Sequence, residues 1–384
     1  MNNKTGTVMV VGGGIAGLTA AWELTRQNIN VELVEKSCFL GGHSIGFTCK
    51  ANDKCQQCGA CSVEAMLANV VDEPRINIHL KTEVKKIERA DAFTISLHKS
   101  DFEVEDGKIV KGFSMHNFPL YVAGKNIANE DLPKGAVKID DMGDETEFEV
   151  DAVVVATGFS PFDPNVKSTY GYGKWKNVIT GMELENILRE NTFAVRPSDG
   201  KAPEKIAFIQ CVGSRDERLG NLWCSQVCCA YAMRMAGAIK YKDSNADISI
   251  FYIDIQNTGK EFPVFYEKIK SDVKFVRTIP VDIYPLENDR LTLRHMVEEN
   301  GTPDFEEFDL VVLSVGIMPS EDTDKISNIF NIPLNEDGFL DDTAVGTPGI
   351  FVAGTASGPQ GIADTITSSG KTAYETMKYL GVIK

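Results

Sequence analysis

The strongest constraint on this chain is a glycine turn set between a strand and a helix. Thr7-Val8-Met9-Val10-Val11 is apolar and β-branched, and Gly12-Gly13-Gly14-Ile15-Ala16-Gly17 follows it in the order G-x-G-x-x-G. A helical pattern runs from Gly17 to about Asn28, with Leu18, Ala21, Trp22 and Leu24 able to face a sheet. A second strand, Asn30–Val34, then ends at Glu35. Each residue has a physical reason to be there. Gly12 permits a tight turn, Gly14 lets the backbone approach a pyrophosphate, and Gly17 allows helix and strand to pack closely. The helix N-terminus offers free N–H groups and the positive end of its dipole to phosphates. Glu35 stands at the distance where an acid accepts hydrogen bonds from a ribose 2′-OH. The chain therefore begins as a βαβ unit that binds a dinucleotide.

Three later segments repeat the strand-to-glycine theme: Asp151 to Phe159 through Ala156, Thr157 and Gly158; Asp309 to Gly316; and Thr347 to Gly354. A Gly- and Ser-rich stretch and a C-terminal helix from about Thr365 follow the last. With 384 residues, two or three domains have room for a core. At 43% hydrophobic and 24% charged residues, wholesale disorder is excluded. The charge balance, 39 − 55 = −16, argues against nucleic acid as the main partner. No run approaches ~18–20 apolar residues, so no transmembrane helix is expected. Met1 to Gly6 is polar and lacks the pattern of a signal peptide, so a cytoplasmic protein is expected. Residues 76–149 read as alternating strands, with Arg75–Glu88 and Ala92–His98 as examples, in an antiparallel meander attached to the first sheet. The acidic run Asp140–Glu147 reads as a solvated turn, and Pro197 to Pro203 as a linker.

The nine cysteines carry most of the remaining information. An odd, clustered set in a reducing compartment points to a metal centre or redox chemistry rather than a disulfide framework. Only Cys38 stands apart. Cys49-x5-Cys55-x2-Cys58-x2-Cys61 has the local spacing of a four-cysteine iron–sulfur centre, with Gly59 allowing a tight turn. Tetrahedral zinc and a redox-active disulfide are the alternatives. The second set is Cys211 with Cys224-x3-Cys228-Cys229. Trp223–Lys240 reads as a helix with Cys224, Val227, Cys228, Tyr231, Met235 and Ala238 on one face. Buried thiols would explain Cys224 and Cys228. They would not explain Cys229, roughly 100° around the helix, or Cys211 in a turn where a cofactor glycine belongs. A second iron–sulfur cluster, buried thiols and a dithiol site remain open. After the strand Lys205–Gln210, Cys211-Val212-Gly213-Ser214-Arg215-Asp216 has no second G-x-G-x-x-G, which argues against a nicotinamide site.

The order of these elements resembles the two-dinucleotide-binding-domain flavoproteins, the fold of thioredoxin and glutathione reductases. The resemblance implies an α/β chain: a Rossmann-like FAD domain with an antiparallel meander and an inserted smaller α/β domain. The expected boundaries are 1–201 and 317–384 for the FAD domain and 202–316 for a degenerate NAD(P)-like insertion. It implies that Gly12, Gly14, Ile15, Ala16 and Gly17 hold the FAD pyrophosphate and that Glu35 and Lys36 lie at the adenosine ribose. Gly41, Gly42 and His43 lie near the flavin, with Ala156, Thr157 and Gly158 at the neighbouring strand end. Gly354 approaches the ribityl chain. That family usually has Asp after the last glycine, and this chain has Thr355, so one contact must differ.

Longer motifs narrow the resemblance. Gln210-Cys211-Val212-Gly213-Ser214-Arg215-Asp216, with Cys224-Ser225-x2-Cys228-Cys229-Ala230-Tyr231-Ala232, resembles the A subunit of heterodisulfide reductase. So do Ala156-Thr157-Gly158-Phe159, Pro161-Phe162-Asp163-Pro164, Tyr170-Gly171-Tyr172-Gly173 before Asn177-Val178-Ile179-Thr180, and Gly354-x3-Gly358-Pro359-Gln360-x3-Asp364-Thr365. Gly41-Gly42-His43-Ser44 and Cys49–Cys61 are most similar to the sulfur-oxidising branch. The resemblance implies an FAD- and [4Fe-4S]-containing electron-transfer subunit, with one or two clusters on Cys49, Cys55, Cys58 and Cys61 and on Cys211, Cys224, Cys228 and Cys229. Its partners would be other subunits of such a complex, and a homodimer is common in the fold. No catalytic residue is assigned. The alternatives are an NAD(P)H-dependent disulfide oxidoreductase and a flavin scaffold with structural zinc. The additional ferredoxin-like cysteine sets of the methanogen proteins are absent from this sequence.

Overall fold

A computed structural model describes residues 6–37, 39–90, 92–99, 109–112, 120–123, 137–138, 144–256, 262–343 and 347–383. Its α-helices are α1 (Ile15–Thr25), α2 (Ala60–Asp72), α3 (Gly181–Asn191), α4 (Cys228–Lys242), α5 (Phe262–Lys270), α6 (Thr323–Phe330) and α7 (Ile362–Tyr379). The chain divides into two compact units. The first is Met1–Gly46, Gly59–Ser160 and Pro319–Lys384, and the second is Phe47–Cys58 with Pro161–Met318.

The first unit is built on a five-stranded parallel sheet in the order Ile350–Val352, Ala152–Val155, Thr7–Val11, Asn30–Val34, Ile76–His79. Side chains alternate across a strand, so Thr7–Val11 feeds two cores. Val8 and Val10 pack with residues of α1, α2 and α7, including Leu18, Val63 and Ala373. Met9 and Val11 pack on the other face with Val84, Phe93, Ile95 and Leu97 of an antiparallel sheet, and with Ile326 and Phe330 of α6. That antiparallel sheet comprises Thr82–Arg89, Phe93–Lys99 and Glu145–Val150.

The second unit repeats the plan. Its parallel sheet runs Val178–Thr180, Leu310–Val315, Lys205–Val212, Asp247–Phe251, Lys274–Val276. Ile206 and Phe208 face α3 and α4, packing with Leu184, Met233 and Ala236. Ala207 and Ile209 face Leu291, Leu293 and Phe308 of an antiparallel sheet, Asp282–Pro285, Leu291–Met296 and Pro303–Phe308. α3 starts at a capping box, in which Thr180 Oγ1 accepts from Glu183 N–H and Glu183 accepts from Thr180 N–H at 2.6 Å.

Several expectations need correction. The segment Arg75–Glu88 is two strands: Ile76–His79 joins the parallel sheet beside Asn30–Val34, and Thr82–Arg89 begins the antiparallel one, with Lys81 at φ 52° turning the chain between them. The remainder of the expected meander includes a parallel pairing, Leu120–Ala123 with Val137–Lys138. Residues 140–143 of the acidic run lie outside the described residues, and Glu145–Glu147 belongs to a strand rather than a turn. The second unit begins at Pro161, not near 202, because Val178–Thr180 pairs with Leu310–Val315. It also takes in Phe47–Cys58. α4 starts at Cys228 rather than near Trp223. Gln226 at φ 60° interrupts helical geometry, and Ser225 is buried with Oγ accepting Ile317 N–H at 2.8 Å. Cys224 therefore lies in the loop before the helix.

Candidate functional site

In the first unit the glycines do what their spacing demands. Gly12 has φ 108°, and a Cβ there would collide with the Ala156 carbonyl oxygen. A Cβ on Gly17 would collide with the Gly12 carbonyl oxygen, so α1 leaves the strand at a separation that no larger residue permits. At Gly14 the nearest atom to a Cβ position is Gly42 Cα at 3.9 Å, so this space is open for a close backbone approach. Gly41 (φ 100°) donates its N–H to Gly13 O at 2.7 Å and forms a bridge with Gly14, which brings the Gly41–Gly42 turn against the first glycine turn. Ile15 and Ala16 form the buried first turn of α1. Gly354 (φ 67°) closes the same corner, with a Cβ position 2.5 Å from Ala16 Cβ. Thr355 sits in the short 3-10 turn Gly354–Ala356.

Glu35 ends the second strand and accepts N–H bonds from Gly13 at 2.6 Å and Ser37 at 2.7 Å. Each carboxylate oxygen has a second lone pair for a ribose hydroxyl. Glu35 and Lys36 line a cleft with Gly12, Thr157, Asp322 and Lys325. Lys36 pairs with Asp322 at 2.5 Å and Lys325 with Glu83 at 2.6 Å. Ala156 follows the neighbouring strand, donating its N–H to Val11 O at 2.8 Å, and Gly158 has φ 75°. The His43 ring packs against that of Phe159 at a 42° tilt with centroids 4.8 Å apart, and its Nε2 lies 3.1 Å from Phe159 O. An open glycine cradle, a helix N-terminus and an acid at the strand end fit a dinucleotide pyrophosphate and ribose.

The turn after Lys205–Val212 is built differently. Cys211 is buried and left-handed (φ 57°), a conformation uncommon for a side chain with a Cβ. Cys228 and Cys229 are buried at the start of α4, at 4% and 3% exposure. The Cys228 thiol is hydrogen-bonded to Cys211 and Cys229 and lies within electrostatic range of Cys224. The hydrogen bond to Cys211, with burial, pushes the Cys228 thiol up to about 12, and its bond to Cys228, with burial, pushes Cys229 higher still. These thiols remain protonated among themselves, and a bound cation would favour their thiolates. Cys224 Sγ accepts Gln226 N–H at 3.3 Å. Arg215, paired through both guanidinium nitrogens with Asp254, adds positive charge close to Cys211 and Cys224. Gln210 and Ser214, each 1% exposed, flank Cys211 with side-chain polar atoms that have no partner. The Cys228 thiol touching those of Cys211 and Cys229, with Cys224 in electrostatic range and orphaned polar groups beside them, is chemistry that suits a thiolate-bound centre, although the four are not assembled as a ready metal site.

The first cysteine set is more exposed. Cys49, Cys55 and Cys61 are exposed and Cys58 is half-buried. Cys49, Cys55 and Cys58 belong to the second unit, and Cys61 lies in the first turn of α2 in the first. Gln57, left-handed at φ 51°, donates its N–H to Cys55 Sγ at 3.4 Å, the same motif as Gln226 on Cys224. Gly59 at φ 82° begins α2. Among the described residues, no group of three or more His, Cys, Asp or Glu is assembled as a ready metal site, and Cys38 lies outside them.

Three residues that sequence reasoning missed hold this loop. Lys50 and Glu185 form an ion pair with side chains 1% and 0% exposed. Glu185 also accepts from Thr48 N–H at 2.9 Å and Thr48 Oγ1 at 2.6 Å, and Lys50 lies over the rings of Phe47 and Tyr231. The backbone on both sides of Cys49 is thereby tied to α3. Arg234 on α4 donates from Nε to Gln56 O at 2.8 Å, with its charge near Cys58 and Cys55. A buried-type partner for a lysine in a polar, cysteine-rich stretch gives no periodic signal, and the partner is 135 residues away.

The pyridine nucleotide-disulphide oxidoreductase family model matches residues 6–209, more than half the chain, and stops two residues before Cys211. The chain is 32% identical over 95% of its length to the A subunit of the H(2):CoB-CoM heterodisulfide,ferredoxin reductase of Methanothermobacter thermautotrophicus. It is 30% identical over 94% to the iron-sulfur A subunit of the CoB--CoM heterodisulfide reductase of Methanocaldococcus jannaschii. It spans 62% of the length of each of these relatives. In fold it is similar to thioredoxin reductase from T. acidophilum (TM-score 0.58, 14% identity, 98% of each chain). It is likewise similar to that of Lactococcus lactis (TM-score 0.59, 14% identity, 98% and 100%). No helix among the described residues is long and apolar enough to cross a membrane. The glycine cradle, the sheet order and these similarities agree: the chain belongs to the pyridine nucleotide-disulphide oxidoreductase family.

Proposed function

We propose that this chain is the FAD- and iron–sulfur-bearing electron-transfer subunit of a heterodisulfide reductase-like complex, acting in thiol–disulfide or sulfur chemistry in the cytoplasm. The observation that carries this reading is Cys211. It occupies the turn where a second dinucleotide-binding domain would need a glycine, it is held left-handed, and its thiol meets that of Cys228, which in turn meets Cys229. Such a turn replaces a nicotinamide cradle with sulfur ligands.

The residues divide the work. Gly12, Gly14 and Gly17 with the N-terminus of α1 bind the FAD pyrophosphate, and Glu35 and Lys36 orient its ribose. Gly41, Gly42, Gly354 and Thr355 shape the approach to the ring end, and His43 is fixed against Phe159. Cys211, Cys224, Cys228 and Cys229 would hold one [4Fe-4S] cluster, and Cys49, Cys55, Cys58 and Cys61 are the candidate ligands of a second. FAD supplies the conversion between two-electron and one-electron transfer, and the clusters supply one-electron relay. The other subunits would carry the disulfide, as the names of the relatives suggest. Gly41-Gly42-His43-Ser44 favours the sulfur-oxidising branch.

The test is elemental analysis of protein purified without oxygen. About eight iron and eight sulfide per FAD support two cubanes, and about four support one. Cys228→Ser and Cys58→Ser should each remove about four iron and leave the flavin bound. Iron-free yellow protein whose flavin is bleached by NADH or NADPH would replace this reading with a disulfide oxidoreductase. Stoichiometric zinc with a flavin that resists reduction would replace it with a scaffold.

A further inference from the structure

Gln210 is 1% exposed, and neither its amide nitrogen nor its amide oxygen has a partner. A buried amide without hydrogen bonds is costly, so such a group needs an explanation. Its position supplies one. Ile206 and Phe208 of the strand Lys205–Val212 pack in the same cluster as Cys228 and Cys229, and the register of the strand shifts between Ile209 and Val212, where Gln210 and Cys211 stand. On the other side of Cys211, Ser214 is equally buried with an unpartnered Oγ. Its Cβ and Ser225 Oγ both stand 3.0 Å from the position a Cβ would take on Gly316, and Ser225 adjoins Cys224. Two buried, unpartnered groups that can donate thus bracket Cys211, whose thiol meets that of Cys228. Sulfur with negative charge accepts hydrogen bonds.

We propose that Gln210 and Ser214 are positioning residues that donate hydrogen bonds to the sulfur atoms of the centre held by Cys211, Cys224, Cys228 and Cys229, and so raise its reduction potential. This rests on the assignment of a cluster to that set. One-electron reduction adds negative charge that spreads over sulfur. A donor aimed at sulfur stabilises the reduced form more than the oxidised form, so removing it lowers the potential. No bond to iron changes.

The experiment is an anaerobic potentiometric titration of the full chain, followed by electron paramagnetic resonance, in a Cys58→Ser background that leaves the second set as the iron site. Q210L should keep its iron and disfavour reduction about tenfold, a fall of about 59 mV for a one-electron couple. S214A should shift the midpoint in the same direction by less. Iron retained with an unmoved midpoint in both variants overturns the inference and leaves the cluster assignment standing. Absence of iron from the Cys58→Ser parent overturns the assignment, and the inference with it. Should Q210L shed iron, S214A decides: a midpoint matching the parent overturns the inference.

Discussion

The turn after Thr7–Val11 and the turn after Lys205–Val212 hold the same place in two parallel sheets of like order, each third in its row of five. The first is lined by backbone. Gly12, Gly14 and Gly17 remove side chains so that phosphates can come close. The second is lined by sulfur. Cys211 takes a left-handed conformation that glycine would take without strain, and Gln210 and Ser214 bury polar atoms beside it. On the proposed reading, one architecture serves two purposes according to whether its turn offers N–H groups or sulfur. Tolerating strain and orphaned polar groups in the second turn is a cost that a merely structural turn has no reason to carry.

This contrast can be broken at several points. The largest effect is expected away from both turns. Glu185→Ala leaves Lys50 buried without a counter-charge and should destabilise the second unit by about 3–5 kcal/mol. Trp175 and Trp223 lie in that unit and Trp22 in the first, so in a Trp22→Phe background tryptophan emission in a denaturant titration should shift while flavin release scarcely moves. Equal shifts of both signals would mean that the two units do not unfold separately. Next come mirror-image glycine variants. Gly17→Ala forces a Cβ onto the Gly12 carbonyl oxygen, and Gly213→Ala (φ 86°) forces one into the Phe162 ring. Each should cost about 1–3 kcal/mol. Gly17→Ala should lose flavin and keep iron, whereas Gly213→Ala should lose iron at the second set and keep flavin. Cofactor analysis that shows the same loss in both would erase the distinction between the turns.

The smallest effect concerns the rim of the dinucleotide cleft. Its hydrogen bond to Lys325 holds the Glu83 carboxyl below its usual 4.5. A depressed carboxylate contributes stability above its ordinary value, and that contribution fades as pH falls through the folded value. Lys325→Ala should therefore lower the melting temperature slightly at pH 7, by the equivalent of about 0.2–1 kcal/mol for a half-exposed pair, and the difference from the parent should disappear in acid. A difference that persists at pH 3 would point to lost packing by the lysine stem.

The first turn was readable because its signals are local. Strand, glycines, helix and Glu35 lie within 29 residues, from Thr7 to Glu35, and each obeys a short-range rule. The two cysteine sets are equally local in the sequence, and of the second the structure brings Cys228 against Cys211 and Cys229. The start of α4 was misjudged because the apolar period of 3.6 runs back through Cys224, whereas Ser225 is drawn to the distant Ile317 N–H and Gln226 turns left-handed. The boundary of the second unit was hidden by a strand pair between Val178–Thr180 and Leu310–Val315, which has no expression in the local pattern. Lys50, Glu185 and Arg234 act across long sequence separations, and Gln210 looks like any polar residue at a strand end until its burial is known.

α4 carries Cys228 and Cys229 at its first turn and Arg234, which grips the Gln56 carbonyl, six residues later. At 1.5 Å per residue, those points are about 9 Å apart along one rigid rod. Both sulfur-rich loops of the second unit therefore share a single axle. A ligand or partner that turns the helix by a few degrees moves the two together, so their spacing is preserved while their surroundings change.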